Sequence, residues 1–516
     1  MQVGLLDRGA SLEAFYKDPE TKGRKNVTKG NGLKSAALLY FDFENDSQLR
    51  YHSTRTTEEY WKMIKNFGAF SCAVAVGLLT GCGSDSDSND TTTATLAEPT
   101  QKVLAVSASG HDRLFAVAFD SQGNFYATGS VADSTESTAD SKMLVAKFKA
   151  DGELDTSFGT NGYVSHNAIV GTGGEVARSI LVQSSGKIVI AGTMEHSGAQ
   201  DARDRDIAVM RLNTDGSLDS SFGTNGLVTL DLSEGEVSGT SFVADSFGGL
   251  IADSSGRLLI HAAKKRTGAT DSDFVLLRLS VDGVLDTSFG TAGQSSLDIR
   301  NLSATPKSAL ILPNGQILGT GYMREGNVVV PVIYRTDANG QLDTSYAVNG
   351  IYSEAVLNAV TEVYSAALVD DALVTVGYGR NSEQENLDFL SLRIKADGTR
   401  DTTFGGAGYV RVDAAGFNDN GRNMTALPDG RVLLVGGGRT AEQTVDAMVA
   451  VLGTDGTADA TFAEKGFKLF DFGGSTDFLW GAAVSPTGDK AVAVGLKGAG
   501  AEGGNDDAAL VLIPLK

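Results

Sequence analysis

The chain has 516 residues, with 63 glycines but only 8 prolines, and it is 41% hydrophobic and 21% charged. Glycine at about 12%, against a usual ~7%, points to many tight turns and excludes a collagen-like or proline-rich stalk, while the apolar content excludes wholesale disorder. The net charge of −21 repels phosphate backbones, so no nucleic-acid partner is expected.

The first 62 residues share none of the pattern of the rest. Residues 63–82 read as a short basic start at Lys65, an uncharged, mostly apolar stretch from Phe67 to Thr80, and Leu79-Thr80-Gly81-Cys82. The apolar stretch is shorter than the ~20 residues that span a bilayer but suits a secretory signal. A polar acidic run follows from Gly83, which cannot bury apolar area and reads as a tether over 83–101. Cys72 and Cys82, the only cysteines, both lie in this segment, so the body carries no disulfide scaffold, cysteine zinc site or thiol catalysis.

The Leu-Thr-Gly-Cys ending resembles the bacterial lipoprotein lipobox. That resemblance implies lipidation of Cys82, cleavage before it, and, with Gly rather than Asp at position 83, sorting to the outer membrane. The expected organisation is an upstream extension of the reading frame over 1–62 with translation starting at Met63, then a signal peptide over 63–82, a tether, and a folded body over 102–516.

The body repeats. Asp151-Gly-Glu-Leu-Asp-Thr-Ser-Phe-Gly-Thr-Asn-Gly162 recurs from Asp215 and from Asp282, with degenerate copies around Asp343, Asp401 and Asp459. The second aspartates (155, 219, 286, 343, 401, 459) are spaced by 64, 67, 57, 58 and 58 residues. Within the second unit, strands are predicted over 179–183, 187–191 and 206–212 and near 227–230, joined by Gly/Asp turns. No 3.6-residue apolar period survives the turn residues, so helix is excluded. First strands near Phe115, Ser179, Gly249, Ser308, Ser365, Met424 and Gly481 make seven units. The last stops after its third strand, and Val103–Ser107 is the candidate for the missing one, because a radial array must cover its edges. The predicted fold is all-β: a seven-bladed β-propeller of four-stranded blades, closed by an N-terminal strand over 102–108 in the last blade.

The Leu-Asp-Thr-Ser-Phe-Gly-Thr-Asn-Gly string at this period resembles the bacterial delta-60 repeat family. The likeness covers 102–516 and weakens at Tyr346, at Arg400 and over Ala458–Ala463. It implies a propeller and an extracytoplasmic setting, and it carries over no catalytic residue.

In each motif the glycines suit positive-φ turns and the aspartates suit local amide capping. Phe158, Phe222, Phe289, Tyr346, Phe404 and Phe462 are expected to plug the joints between units. The pairs Asp151/Asp155, Asp215/Asp219 and Asp282/Asp286 offer oxygens for calcium, but they lack the ligand density of an EF-hand loop; the turn reading is preferred and no cofactor is assigned. An acid or amide opens the third strand at Asp206, Asp273, Asn327, Asp388, Asp446 and Asp507, a possible acidic rim, with Lys142 at that place in unit one. Basic residues recur further along at Lys147, Arg211, Arg278, Arg335 and Arg393. Loops of differing sequence precede these strands, at 131–141, 195–205 and 264–272, where binding specificity belongs on a constant scaffold.

His-Glu-x-x-His, Gly-x-Ser-x-Gly and the P-loop string are absent, and the body has one tryptophan, Trp480. The sequence reading is therefore a non-enzymatic, monomeric envelope lipoprotein, anchored to the membrane by lipid alone, facing the periplasm or the cell surface and binding a protein, glycan or cation. The alternative is a propeller hydrolase or lyase using acids near the central channel.

Overall fold

The computed structural model describes residues 97–516 apart from 137–138, 171–173, 196–204, 234–235, 239–240, 244, 266–270, 442–443 and 501–503. The extension, the signal segment and Cys82 lie outside the described residues, as do parts of the three variable loops. Among the described residues regular structure is β-strand, apart from one 3-10 turn at Phe404–Gly406. No helix among them is long and apolar enough to cross a membrane.

The second unit shows how the repeat folds. Val176–Val182, Ile188–Glu195, Arg205–Leu212 and Leu227–Leu230 form a four-stranded antiparallel meander in chain order. Its two middle strands are buried almost throughout while the first and fourth are half-exposed. That pattern is expected of a sheet covered on both faces by neighbours. The same meander recurs from Asp112, Ser246 and Asp419. The units from Ala304 and from Val360 are joined into one larger sheet by a single parallel pair, Val329 with Val360.

The last unit supplies three strands, Phe478–Val484, Lys490–Lys497 and Asp507–Pro514. Its fourth comes from the other end of the described chain: Thr100–Leu104 pairs antiparallel with the final strand, Val103 opposite Ala509. This strand starts two residues earlier than the expected 102–108 and ends four residues earlier, and a local contact explains its early end. The N–H groups of Val106 and Ser107 leave the ladder to donate to Asp112 Oδ2, at 2.6 and 2.8 Å.

Apolar side chains gather between successive sheets. Tyr126, Met143, Val145 and Phe158 of the first sheet pack with Ala177, Ile180, Ile190 and Met210 of the second. Leu114, Phe125, Leu144 and Phe148 pack with Val492, Val494, Ala508 and Leu510 of the last. The first sheet is therefore covered by the second on one side and by the last on the other.

The repeated motif builds these joints. Phe158, Phe222, Phe289, Tyr346 and Phe404 are each buried to 2% exposure or less. Each lies beside the glycine of the next unit's Asp-Gly or Asn-Gly turn; a Cβ on Gly283 would stand 2.9 Å from Phe222. Backbone bonds run across the same joints, from Gly159 N–H to Asp215 O and from Gly223 N–H to Asp282 O. The motif aspartate holds the turn below: Asp219 accepts the Ser221 N–H and hydroxyl on Oδ1, and Arg211 and Lys187, each at 2.6 Å, on Oδ2. With both oxygens taken by protein donors, this is a turn fastening rather than a cation cage. Arg211 also stacks on Phe222 at 4.7 Å and donates to Val281 O of the next unit. Arg278 repeats the arrangement with Asp286, Phe289 and Ala338 O. Between the last and first units Leu512 stands in the aromatic's place, against Gly152. Lys490 reaches Ala150 O there, at 2.6 Å.

Candidate ligand-binding site

The second strands of six units carry a glycine at one register position: Gly129, Gly192, Gly321, Gly377, Gly436 and Gly495. A Cβ there would collide with the first strand; at Gly129 it would stand 1.8 Å from the Arg113 carbonyl oxygen. Without a side chain the two strands approach closely, and the first strand bulges by one residue opposite the glycine. Pairing passes from Leu114 to Ala116, from Ala177 to Ser179, from Pro306 to Ser308, from Gly421 to Asn423 and from Leu479 to Gly481, skipping the residue between. In the fifth unit it passes from Thr361 opposite Gly379 to Ser365 opposite Val376, which leaves Tyr364 as the extra residue. The third unit has Ala262 at the glycine position, and its skipped residue is itself a glycine, Gly248.

The seven skipped residues are Phe115, Arg178, Gly248, Lys307, Tyr364, Arg422 and Trp480, all half-buried. Freed from the pleat, six of them meet. Arg178 lies over the Phe115 ring at 4.8 Å, and Phe115 meets Trp480 edge-on at 5.5 Å. The Arg422 guanidinium stands 5.0 Å from the Trp480 ring and 4.3 Å from the Tyr364 ring. The Lys307 ammonium is 4.2 Å from the other side of this series, again on Tyr364. Three cations and three rings thus run through six units, with four cation–ring contacts and one edge-on ring pair, each attractive through the ring quadrupole.

A second layer surrounds Tyr364. Tyr322 and Tyr378 lie 5.9 and 5.3 Å from it, and the Tyr364 and Tyr378 hydroxyls are 3.1 Å apart. Glu362 is 8% exposed, and burial raises its carboxyl above the usual range despite the tyrosine hydroxyls, Lys307 and Arg422 beside it. Burial likewise pushes the Tyr364 hydroxyl well up.

The acids expected at a rim are placed differently. Asp206, Asp273 and Asp388 are buried to 3, 3 and 6% exposure, and Asp446 and Asp507 are half-buried. Asn327 sits in the tight turn after Glu325, and the register position in that unit belongs to Val330. Three of the acids join others from the strand ends: Asp206 with Asp231 and Asp245, Asp273 with Asp271 and Asp298, and Asp388 with Asp413 and Asp419. Each trio brings carboxylate oxygens within 4.8 Å of one another, so these are the described residues with the spacing to share a cation. Arg411 already pairs with Asp388 at 2.5 Å.

The sequence reading passed over a second buried acid, one that opens the first strand of five units: Asp112, Glu175, Asp245, Asp419 and Asp477. These carboxylates gather the loop arriving from the previous sheet, as Glu175 does with Ala168 and Ile169 N–H, and Asp477 with Phe472 and Gly474 N–H; Asp477 also accepts Gly498 N–H, just past the second strand of its own unit. Burial nonetheless raises Asp112 to about 6 and Asp419 to about 7. The skipped residues were missed as well, because their chemistry differs from unit to unit. The detectable signal was the recurrent glycine in the second strand.

A family model described as a β-propeller domain of unknown function matches residues 183–222, 254–289 and 312–346. The matched stretches run from the first hairpin to the joint aromatic of three consecutive units, Phe222, Phe289 and Tyr346. The matches support a β-propeller family. No curated protein matches the sequence. Among solved structures, a protein of unknown function from Dyadobacter fermentans DSM 18053 is similar at 13% identity, with 82% of this chain and 100% of that one covered and a TM-score of 0.43. The polysaccharide lyase Uly1 is similar at 12% identity, over 79% of this chain and 90% of its own, with a TM-score of 0.44. The propeller domain of the Trilobed protease from Pyrococcus furiosus is similar at 10% identity, over 78% and 96%, with a TM-score of 0.39.

Proposed function

We propose that the chain is a binding module of the bacterial envelope: a closed seven-bladed propeller of delta-60 repeats, lipidated at Cys82 and held at the outer membrane, that takes its ligand at the axis. The unbroken run of contacts from Arg178 through Phe115, Trp480, Arg422 and Tyr364 to Lys307 carries the reading. Side chains skipped by the ladder in six different blades can meet only if the inner strands converge, and first and last blades meet within that run. The pairing of Thr100–Leu104 with the last strand supports the same closure. Half-buried aromatic rings and cations, exempt from the sheet's own bonding, form a surface suited to recognition.

The alternative of a hydrolase or lyase rests on Glu362, a buried acid beside Tyr364, Tyr378 and Arg422. Retention on the purified chain of a component from an envelope extract, and its loss on Trp480→Ala, tests the binding role. Capture unaffected by that substitution removes the axis from the argument. Turnover of any retained glycan, abolished by Glu362→Gln, would favour the enzyme. Metabolic labelling with a fatty acid, lost on Cys82→Ser, tests the anchor.

A further inference from the structure

The three carboxylate trios differ in what already holds them. In the trio of Asp388, Arg411 pairs with one member. In the trio of Asp206, both Asp245 oxygens are taken, Oδ2 by the Leu232 N–H and Oδ1 by the Ser233 hydroxyl. The trio of Asp271, Asp273 and Asp298 has a member left over. Asp271 is 9% exposed, its Oδ2 is sealed from solvent, and among the described residues its carboxylate has no hydrogen-bond or ion-pair partner.

Asp271 also stands outside the repeat. The other two trios draw their third acid from the residue that opens the next unit's first strand, Asp245 and Asp419, each three residues before the bulge. After the third unit that position is Ala304, three residues before Lys307. Asp271, just ahead of the third strand Ser272–Leu279, supplies the third carboxylate instead. A carboxylate restored from a different element, and bonded to nothing in the turn, points to a ligand that needs three.

Three like charges with oxygens within 4.8 Å of one another, two of them on buried residues, repel unless a cation lies between them. Lys264, the cross-strand neighbour of Asp273, turns its ammonium to Gln294 Oε1 at 3.1 Å. Asp273 and Asp298 have partners of their own, the Asn301 N–H on Asp298 Oδ1 among them. A carboxylate has about four lone-pair directions, so it keeps such a bond while an ion takes another. Oxygens on one calcium ion at about 2.4 Å stand at most ~4.8 Å apart, a limit this trio meets. Magnesium usually takes one or two carboxylates and keeps its waters, so three carboxylates select calcium. Asp298 is exposed, and water reaches that side to complete the shell.

We propose that Asp271, Asp273 and Asp298 bind one calcium ion, which ties the start of the third strand to the end of the fourth, Gln294–Leu297, in the third unit. The test uses the full chain, stripped with EDTA and dialysed. Calcium chloride and magnesium chloride are titrated into it by calorimetry, and thermal unfolding is followed in EDTA and in about 1 mM calcium. The expected result is saturable calcium binding at least tenfold tighter than that of magnesium, with a higher unfolding midpoint in calcium. Asp271→Asn breaks no bond of the folded chain and should bind one calcium ion fewer than the parent. It should melt at or above the parent in EDTA, where it removes repulsion, and below the parent in calcium. Asp273→Asn should lose the same ion; if it fails to fold, Asp271→Asn alone decides. A parent that binds no calcium, or an Asp271→Asn variant with the parent's stoichiometry and the parent's response to calcium, overturns the site. Equal affinity for magnesium overturns the assignment to calcium.

Discussion

The Phe158 ring lies over Gly216, its Cζ 3.0 Å from where a Cβ on that glycine would stand. Gly216 also has φ +89°, so two independent costs oppose any side chain there. Gly216→Ala is expected to destabilise the fold by about 2–3 kcal/mol through strain and overpacking. Gly473 has φ +86° but nothing within 4 Å of a Cβ, and Gly473→Ala should cost only about 1 kcal/mol. Denaturant unfolding of both variants measures the difference, and equal losses would refute the packing of one unit's aromatic on the next unit's glycine.

Arg211 and Asp219 are both buried to 5% exposure. Arg211→Met leaves the carboxylate with Lys187 and Ser221 alone and removes the bond to Val281 O in the next blade, so a loss of about 3 kcal/mol is expected. The Arg257–Asp253 pair, with Arg257 more than a third exposed, should lose under 1 kcal/mol on Arg257→Gln, as solvent screening predicts. Thermal melts at low and high salt distinguish the two, since only the exposed pair weakens with ionic strength.

Val103 stands opposite Ala509 across the join, and the native cysteines number only two, Cys72 and Cys82, both ahead of the described residues. In a background with Cys72→Ser and Cys82→Ser, the paired substitutions Val103→Cys and Ala509→Cys should oxidise to a disulfide. Closing a loop of some 400 residues should raise stability by up to about 5 kcal/mol. Failure to cross-link under mild oxidation would show that this register is wrong.

Two buried groups give opposite pH signatures. His261 is fully buried against Phe274 and Tyr334, and burial holds its pKa near 3 against an ordinary 6.5. The unfolded chain takes up this proton first, so stability present above pH 6.5 is lost as pH falls toward 3, by about 2 kcal/mol at pH 5. His261→Phe should flatten that acid limb. Asp419 behaves in reverse: with its pKa raised to about 7, it favours folding below pH 4 and loses that contribution as pH rises through 7. Asp419→Asn, which keeps an acceptor for Ala414 N–H, should therefore be more stable than the parent at pH 8 by about 2 kcal/mol and equal to it near pH 4.

The period, the strands and the joint aromatics were legible because each repeats with its chemistry intact. Phe222 recurs as Phe289 and Tyr346, and a plug must stay a plug. The skipped residues were not legible for the opposite reason: Phe115 and Trp480 are aromatic where Arg178 and Lys307 are cationic, so they share a place but not one chemistry. Their position depends on a bulge, which exists only when two strands are brought into register. The acid at Asp206 was visible as a recurrent residue, but its burial beside Asp231 and Asp245 takes it off any exposed rim. The terminal strand was found through the missing fourth strand, yet its end at Leu104 was set by the Asp112 carboxylate, a contact no local pattern encodes.

The bulge opposite each second-strand glycine has an evolutionary corollary. A residue excused from the ladder answers to no neighbour within its own unit, so it can be exchanged without redesigning the sheet that carries it. Duplicating a sixty-residue module therefore copies the architecture while leaving one letter free to drift. Six of those letters, from Arg178 through Phe115, Trp480, Arg422 and Tyr364 to Lys307, stand side by side in space, so respelling them would change that cluster of rings and cations while every ladder around it stayed as it is.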